Sequence, residues 1–544
     1  LTGERPYVAD NIMVVLFATA SGPPPPPQER APGRRLPDEI CAICMRALAP
    51  EPARRHRSAA ELADAVQAFL DGRHRAEQAA AHLTEAEAGW RRWQALAAER
   101  AALTVRLADL EASVDPWLPR EQKTELLTAR QRLRDLGTDS ADAFSTAIAG
   151  AERALSQGPG NPDARGQLAR AWFARFEEAE ERGDRQEQAF YASRVRAHDD
   201  GEFAPRLQGE GRLTLRTTPA GAEVVLERFD RRGLVWPLSE PRSLGTTPLV
   251  DLPLAMGSYR LRIRSPGRPE VLYPVFISRG RRWDSGDVPL PPAVPDGCVY
   301  VPPGPALIGG DADVRDPLPR SEPWIDGFFA GVHPVTAQAY ADYLTALHRQ
   351  DPAAAWARSP RAASGMGTKA SQYWEQPAAG APYVVPRVDR EGPPWDPRWP
   401  CMGISWEDAR AYAAWRAKVD GQPWRLPTEP EWEKLCRGVD GRLYPWGDDF
   451  DATLCRMRFS RAGSPLPEPV GAYPLDVSVY GAQDLAGGVA DWCGDEAFGV
   501  DDSRRPQRGG SWTSDGMRCR STWRDGFKPG LPRTVTGIRL VRSL

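Results

Sequence analysis

Four things are scarce in this chain of 544 residues. Eight cysteines, at 41, 44, 298, 401, 436, 455, 493 and 519, are too few and too scattered for a fold stapled by disulfides, so a reducing, cytoplasmic setting is expected. The six histidines (56, 74, 82, 198, 333 and 348) contain no H-x-x-x-H or H-E-x-x-H, which excludes the familiar helix-borne metal sites. A basic surplus is missing: 70 Lys and Arg stand against 73 Asp and Glu, for a formal charge of −3, and nothing is spare to neutralise a nucleic-acid backbone. Long apolar runs are missing too. The segment 12–20 is far short of the ~20 residues that cross a bilayer, and no charged n-region precedes an apolar one, so neither a transmembrane segment nor a leader is expected. With no G-x-S-x-G nucleophile elbow either, proteins and small molecules are the expected partners.

What is present is modular. A chain this long exceeds one ordinary core, and three or four units are expected. In residues 1–72, Ile40, Ile43, Leu48, Leu62, Val66, Phe69 and Leu70 recur at helical spacing around a Pro-Glu-Pro break, predicting two short helices. Cys41 and Cys44 form a C-x-x-C on that apolar stripe, without a second pair nearby, and read as packing. Residues 73–205 form a helical arm. Trp93, Leu96, Leu103, Leu107 and Leu110 follow three- and four-residue steps, and two further helices meet at Gly183-Asp184. At 211 the period changes to alternation, and strands at 212–217, 222–229, 258–264 and 271–278 predict a small β-sandwich spanning 210–292, with Arg260, Arg262 and Arg264 facing outward. The last 250 residues, 295–544, hold 13 of the 19 tryptophans and much Gly and Pro. Loops pinned by buried indoles are expected there, with strands at 298–310 and 536–543 and helices at 336–348, 406–419 (N-capped by Ser405) and 429–437. The fold class read from this is a multidomain chain: an α-helical N-terminal half, a small β-sandwich, and an α+β domain with sparse regular structure.

Several stretches resemble known families. "LTGERPY" (1–7) and "ALAPEPARRHRSAAEL" (47–62) look like the end of the C-terminal lobe of bacterial Hanks-type serine/threonine kinases. By that resemblance Arg55 would hold the activation-segment glutamate, and a kinase domain would lie upstream in a longer protein. The chain lacks a Gly-rich loop, strand lysine, H-R-D, D-F-G and A-P-E, so it cannot itself transfer phosphate. The second part of the arm resembles one tetratricopeptide unit, with Ala169, Trp172, Phe173 and Phe176 facing Ala189, Phe190 and Tyr191. "TTPAGAEVVLE" followed by "LGTTPLVDLPLAMGSYRLRIRSPG" resembles the PEGA module, a spacer without chemistry.

The strongest resemblance covers 295–544. "VPPGPALIGG", "HPVTAQAYADY", "ISWEDARAYAAW", "RLPTEPEWEKLCRG", "YPWGDD", "DLAGGVADW" and "RGGSW" followed by "GIRLVRS" occur in the order found in the formylglycine-generating-enzyme (sulfatase-modifying factor) family. The resemblance implies a C-type-lectin-like fold, which hosts both oxidases and pure binders. Its enzymes use two cysteines of the last segment to hold Cu(I) and oxidise a substrate cysteine. Counted forward from Trp512, the first of these positions is Ser514 and the second Cys519. Counted backward from Arg524, Pro529 and Gly537, the segment is three residues short and Cys519 falls where the enzymes carry an aromatic. A serine does not bind Cu(I), so Cys519 is expected to be structural and the domain catalytically silent.

A binding surface is then expected from Trp512, Thr513, Ser514, Asp515, Arg518, Trp523, Arg524 and Phe527, which mix aromatic anchors with charged and small polar groups. Calcium, a hard cation suited to oxygen ligands in tight loops, is a candidate at "DDFD" (448–451) and at Asp484, Gly488 and Asp491, where the family's second calcium loop reads differently here. The chain is thus expected to be the accessory region of a bacterial serine/threonine kinase with a silent lectin-like domain that binds a protein or small-molecule ligand. Two alternatives stand beside it: a divergent copper oxidase pairing Cys519 with another thiol such as Cys455 or Cys493, and a binding protein whose 513–536 segment is diversified by a retroelement.

Overall fold

The computed structural model describes residues 1–8, 11–115, 117–363, 372–386, 395–499 and 501–544. The chain forms two compact units, Leu1–Leu207 and Gln208–Leu544.

The first unit is helical. Short helices Ile12–Ser21 and Asp38–Ala47 precede a single helix, Ala59–Ser113, whose start is capped by Ser58 accepting the Glu61 N–H at 3.1 Å. The second of the two expected short helices therefore does not stop near 72. Gly72 is the only weak helix former there, at about 1 kcal/mol, and no proline or cap ends the run. The helix pairs antiparallel with Thr124–Gln157 along small residues: a Cβ on Gly89 would stand 2.7 Å from the Ala147 amide, and one on Gly150 2.9 Å from the His82 carbonyl. Helices Pro162–Arg182 and Arg185–His198 then turn at Gly183 (φ 73°), and Asp184 caps the second by accepting the Glu187 N–H at 2.9 Å. Cys41 is buried in this unit, and its C-x-x-C joins no metal-binding cluster among the described residues. The Arg55 guanidinium donates to the carbonyls of Ala49 (2.6 Å) and Pro50 (3.3 Å).

The second unit begins with two facing sheets. One orders Leu249–Ala255, Glu210–Thr218 and Arg282–Pro289; the other orders Arg242–Thr246, Glu223–Arg228, Gly257–Arg264 and Val271–Ile277. Three of these strands were not legible from alternation, because 242–246 is exposed on nearly every residue and 249–255 and 282–289 carry proline or glycine. The outward arginines are paired rather than merely solvated: Arg260 contacts Glu227 at 2.7 Å, and Arg262 and Arg264 share Glu270 at 2.9 and 2.5 Å.

The remaining 250 residues carry little regular structure. A sheet of Val541–Ser543, Phe328–Gly331 and Cys298–Val301 ties the two ends of this region together, and a second sheet orders Arg524–Phe527, Arg505–Arg508, Ala490–Trp492 and Thr536–Gly537. Helices Ala337–His348, Trp406–Asp420 and Glu429–Arg437 sit where their periodicity places them, and Ser405 caps the second in a full capping box with Asp408. Buried indoles pin the loops as expected, for example Trp406 to the Cys493 carbonyl at 2.7 Å and Trp446 to the Asp449 carbonyl at 2.9 Å.

The sandwich and this region share cores. Tyr300 and Phe329 complete the sandwich interior, while Phe229 and Trp236 enter the core around Trp432. At the seam, Asp440 takes the Arg442 guanidinium at 3.0 and 2.6 Å and the Ser258 hydroxyl. Burial alone would raise the Asp440 carboxyl, but the Arg442 charge and hydrogen bonds outweigh it and hold it at about 2. A carboxyl held below its unfolded value of about 4 stabilises the fold fully above that pH, and the stabilisation is lost as pH falls from about 4 through 2. Asp440→Asn is therefore expected to cost about 3–5 kcal/mol at neutral pH by stranding Arg442. It should also flatten the acid limb of stability between about pH 4 and 2. Chemical denaturation at stepped pH measures both, and an unchanged acid limb would contradict the assignment.

Candidate functional site

The seven-residue path from Gly510 through Gly516 makes a tight hydroxyl-rich turn. The Ser514 hydroxyl accepts the Ser511 N–H at 2.9 Å and lies 3.0 Å from the Ser511 hydroxyl, which in turn lies 3.1 Å from that of Thr513. This turn forms one side of a cleft of about 420 Å³ that also takes in Arg518, Trp523, Asp525 and the strand-flanking segment 532–535. The size suits a small-molecule ligand or a peptide side chain.

Of the eight residues expected at a binding surface, Thr513, Ser514, Arg518 and Trp523 line this cleft. Trp512 packs against the neighbouring core and directs its indole N–H to the Thr534 carbonyl at 3.4 Å. Asp515 is exposed and caps the next turn by accepting the Arg518 N–H at 3.1 Å. Arg524 is buried away from the cleft, with both sides of its fork on Glu429 at 2.9 and 2.6 Å. Phe527 lies under Arg533, whose guanidinium carbon sits 3.5 Å from the ring centroid. Sequence reasoning missed Asp525, Arg533 and Gln507. The available signal was the two-residue period of strand 524–527, which turns Arg524 inward and Asp525 to the cleft.

Cys519 is fully buried, in an apolar cluster with Tyr444, Trp446, Leu454, Met457 and Cys455. The Cys455 thiol lies against it, and their hydrogen bond together with burial drives the Cys455 thiol well above its ordinary value. Cys493 is also fully buried, in a different cluster around Trp432.

The three residues considered for calcium have separate partners. Asp484 (φ 57°) accepts the Gly471 N–H at 2.7 Å and meets His333 Nδ1 at 3.2 Å. Gly488 donates to the Arg456 carbonyl at 2.7 Å. Asp491 accepts Trp432 Nε1 and Arg539 Nε, both at 2.9 Å. In the other candidate loop, Asp451 accepts the Thr453 N–H at 2.8 Å, and Asp448 accepts the Leu443 N–H at 3.1 Å. Among the described residues no three His, Cys, Asp or Glu side chains gather into a group able to hold a metal.

Beneath the cleft runs a lattice of buried ions. Glu433 binds Arg508 and, at 2.8 Å, Arg437; Glu429 binds Arg524 and approaches Arg508 at 3.5 Å. Arg539, with no exposed surface, bonds Asp491 and also the carbonyls of Gly331, Val332, Gln483 and Asp484 at 2.8–2.9 Å.

A loop-dominated α+β domain held by such a lattice, with a cleft at its last segment, defines a class of protein before any relative is considered. Residues 287–544 match the Sulfatase-modifying factor enzyme 1-like domain, and the chain belongs to that family. It is 31% identical over 269 residues to "Inactive C-alpha-formylglycine-generating enzyme 2" of Mus musculus, covering 45% of this chain and 85% of that protein. The Bos taurus protein of the same name is 35% identical over 181 residues, 31% of this chain and 55% of its own length. "Serine/threonine-protein kinase pkn1" of Chlamydia caviae is 28% identical over 270 residues, 45% of this chain and 38% of the kinase. The chain thus spans about half of the bovine relative and little more than a third of the chlamydial one.

Arg539 serves five acceptors with one planar fork, which a lysine cannot replace. Both Arg539→Gln and Arg539→Lys are expected to lose about 3–5 kcal/mol of stability, since each leaves Asp491 or several carbonyls unpaired. Denaturant titration reads the loss; a lysine variant as stable as the parent would refute this account.

Proposed function

We propose that the chain is the accessory region of a bacterial serine/threonine kinase and that its family domain is a catalytically silent ligand-binding module. One observation carries the silent reading: the position of the first metal-binding thiol is Ser514, whose hydroxyl is engaged within its own turn, while Cys519 is sealed in an apolar cluster. Cu(I) chemistry of the family's kind needs thiolates that a substrate cysteine can reach. Cys519 and Cys455 are two adjacent thiols, the one feature in favour of the oxidase reading. Neither has accessible surface, however, and Cys455 is held toward its neutral form, so the donor set does not fit that role.

Two findings support the accessory reading. Relatives of this domain include proteins named as inactive formylglycine-generating enzymes and kinases named pkn1. Helix Ile12–Ser21 leaves Ile12, Met13, Val14, Leu16 and Phe17 bare at 53–75% exposure, as a helix does when the surface it packs on lies elsewhere in a larger domain. On this reading 210–292 is the PEGA-like spacer that holds the binding domain.

Two tests follow. The chain incubated with Cu(I), oxygen and a Cys-x-Pro-x-Arg peptide is expected to form no aldehyde, and Ser514→Cys is expected to form none either, because the partner thiol stays buried; aldehyde detected by mass spectrometry would overturn silence. Intact H-R-D and D-F-G motifs in frame ahead of Leu1 in the gene are expected for the kinase reading, and an uninterrupted upstream frame without them would end it.

A further inference from the structure

The cleft at the last segment holds two guanidinium groups with no carboxylate partner among the described residues. Among the described residues, Arg518 forms no ion pair within 4 Å; its exposed side chain lies over the Trp523 ring at 5.6 Å, and only its backbone N–H is engaged, by Asp515. Arg533 likewise forms no ion pair. Its backbone is fixed on both sides, donating to the Ile404 carbonyl at 3.1 Å and accepting the Gly403 N–H at 2.9 Å, while its guanidinium lies over Phe527. The Arg533 Nε is buried with no acceptor. Elsewhere in this domain buried arginines are matched to acids, as Arg508, Arg524, Arg437, Arg442 and Arg539 show. Arg505 and Arg542, also without an ion pair, donate to the Asp502 carbonyl and to Gln422, whereas neither cleft guanidinium donates to any described residue.

An unmet buried N–H costs about 1–3 kcal/mol, and like charges facing one space add to that. Burial pulls the Arg533 guanidinium below its ordinary value; Asp525 partly offsets this and Arg518 adds to it, so the two cations sense one another across the cleft. Asp525 does not neutralise them. Among the described residues it makes no ion pair within 4 Å, and one of its oxygens accepts the Gly526 N–H at 3.0 Å. Such an arrangement is held in place by the surrounding fold and is relieved by an incoming oxyanion, which a guanidinium fork binds in a bidentate manner.

We propose that this cleft binds a small molecule through a carboxylate or phosphate group seated between Arg518 and Arg533, with the hydroxyls of Thr513 and Ser514 as further donors and Asp525 excluding a second negative charge beside it. The proposal rests on the reading of the domain as a ligand-binding module and names the chemistry of its ligand. Asp525 faces the same space and favours ligands that carry a hydrogen-bond donor or a positive charge next to the anion.

Equilibrium dialysis of the whole chain at low ionic strength tests this with two probes, labelled inorganic phosphate and labelled acetate. Saturable binding of one equivalent of at least one probe is expected, and the tighter probe tells whether the natural group is a phosphate or a carboxylate. Arg518→Gln and Arg533→Gln are each expected to weaken binding at least ten-fold, Arg518→Lys less than Arg518→Gln, and Asp525→Asn to strengthen it several-fold. Sodium chloride at 0.5 M should weaken binding, as screening requires. Arg518 is exposed and its variants are expected to melt with the parent, so they decide the matter even where Arg533→Gln is destabilised. Absence of saturable binding for both probes, or binding unchanged in Arg518→Gln and Arg533→Gln together, overturns the proposal. Aldehyde formation in the peptide assay would instead overturn the silent-module reading, so the two failures are told apart.

Discussion

The C-terminal domain depends on Arg539. A domain with few helices and short strands leaves many backbone carbonyls without a ladder partner, and each buried one must find a donor. Arg539 supplies that donor for four carbonyls from two separate segments and, through Asp491, ties them to the strand on which the cleft is built. Asp491 in turn takes the Trp432 indole, so the helix Glu429–Arg437 is oriented by the same ion pair. The parallel lattice of Glu429 and Glu433 with Arg508, Arg524 and Arg437 does for the other strands what Arg539 does for the loops. Charges buried at this depth are costly individually and persist because each faces an opposite charge, even though Arg437 Nε, Arg508 Nε and Nη1 and Asp491 Oδ1 have no hydrogen-bond partner among the described residues.

This explains what the family signature is for in this chain. In "RLPTEPEWE", Arg425 binds Glu431 through both sides of its fork at 2.6 Å, Thr428 caps the helix, Glu429 and Glu433 reach the cleft strands, and Trp432 reaches Asp491. The motif builds the frame of this domain, and the cleft lies in the segment laid over it. The frame is held by side chains other than Ser514 and Cys519, the hydroxyl and the buried thiol that the segment above it carries.

Much of this was legible beforehand, and the limits are physical. Helices 337–348, 406–420 and 429–437 announced themselves by period and caps because their signals are local. The arm was legible in its leucines and Trp93, yet the unbroken run through Gly72 was not, since a glycine weakens a helix without ending it. Strands 242–246, 249–255 and 282–289 escaped because an exposed edge or a proline-bearing strand shows no clean alternation. At the site, composition pointed to the sixteen-residue stretch 512–527 but could not tell Arg524, which faces Glu429, from Arg518, which lines the cleft, because sequence does not say which arginine has a buried acid across from it. The contact of Cys455 with Cys519 joins positions 64 apart, and no local pattern announces it.

The shared core between the sandwich and the cleft domain changes what counts as a separable piece. Trp236 donates its backbone N–H to the Trp446 carbonyl at 2.9 Å, and Gly447 has no room for a Cβ because the Trp236 indole stands 2.7 Å from where it would be. From the same loop, the Tyr444 hydroxyl reaches the Gly516 carbonyl at 3.1 Å and the Leu443 carbonyl accepts the Ser521 N–H at 2.8 Å, on either side of Arg518. A cut at the apparent boundary near 293 would leave Tyr300, Phe329 and Trp446 facing water and strip the backing from the loop that supports the cleft. The smallest portion that keeps the cleft in its native surroundings therefore starts before the first strand of the sandwich.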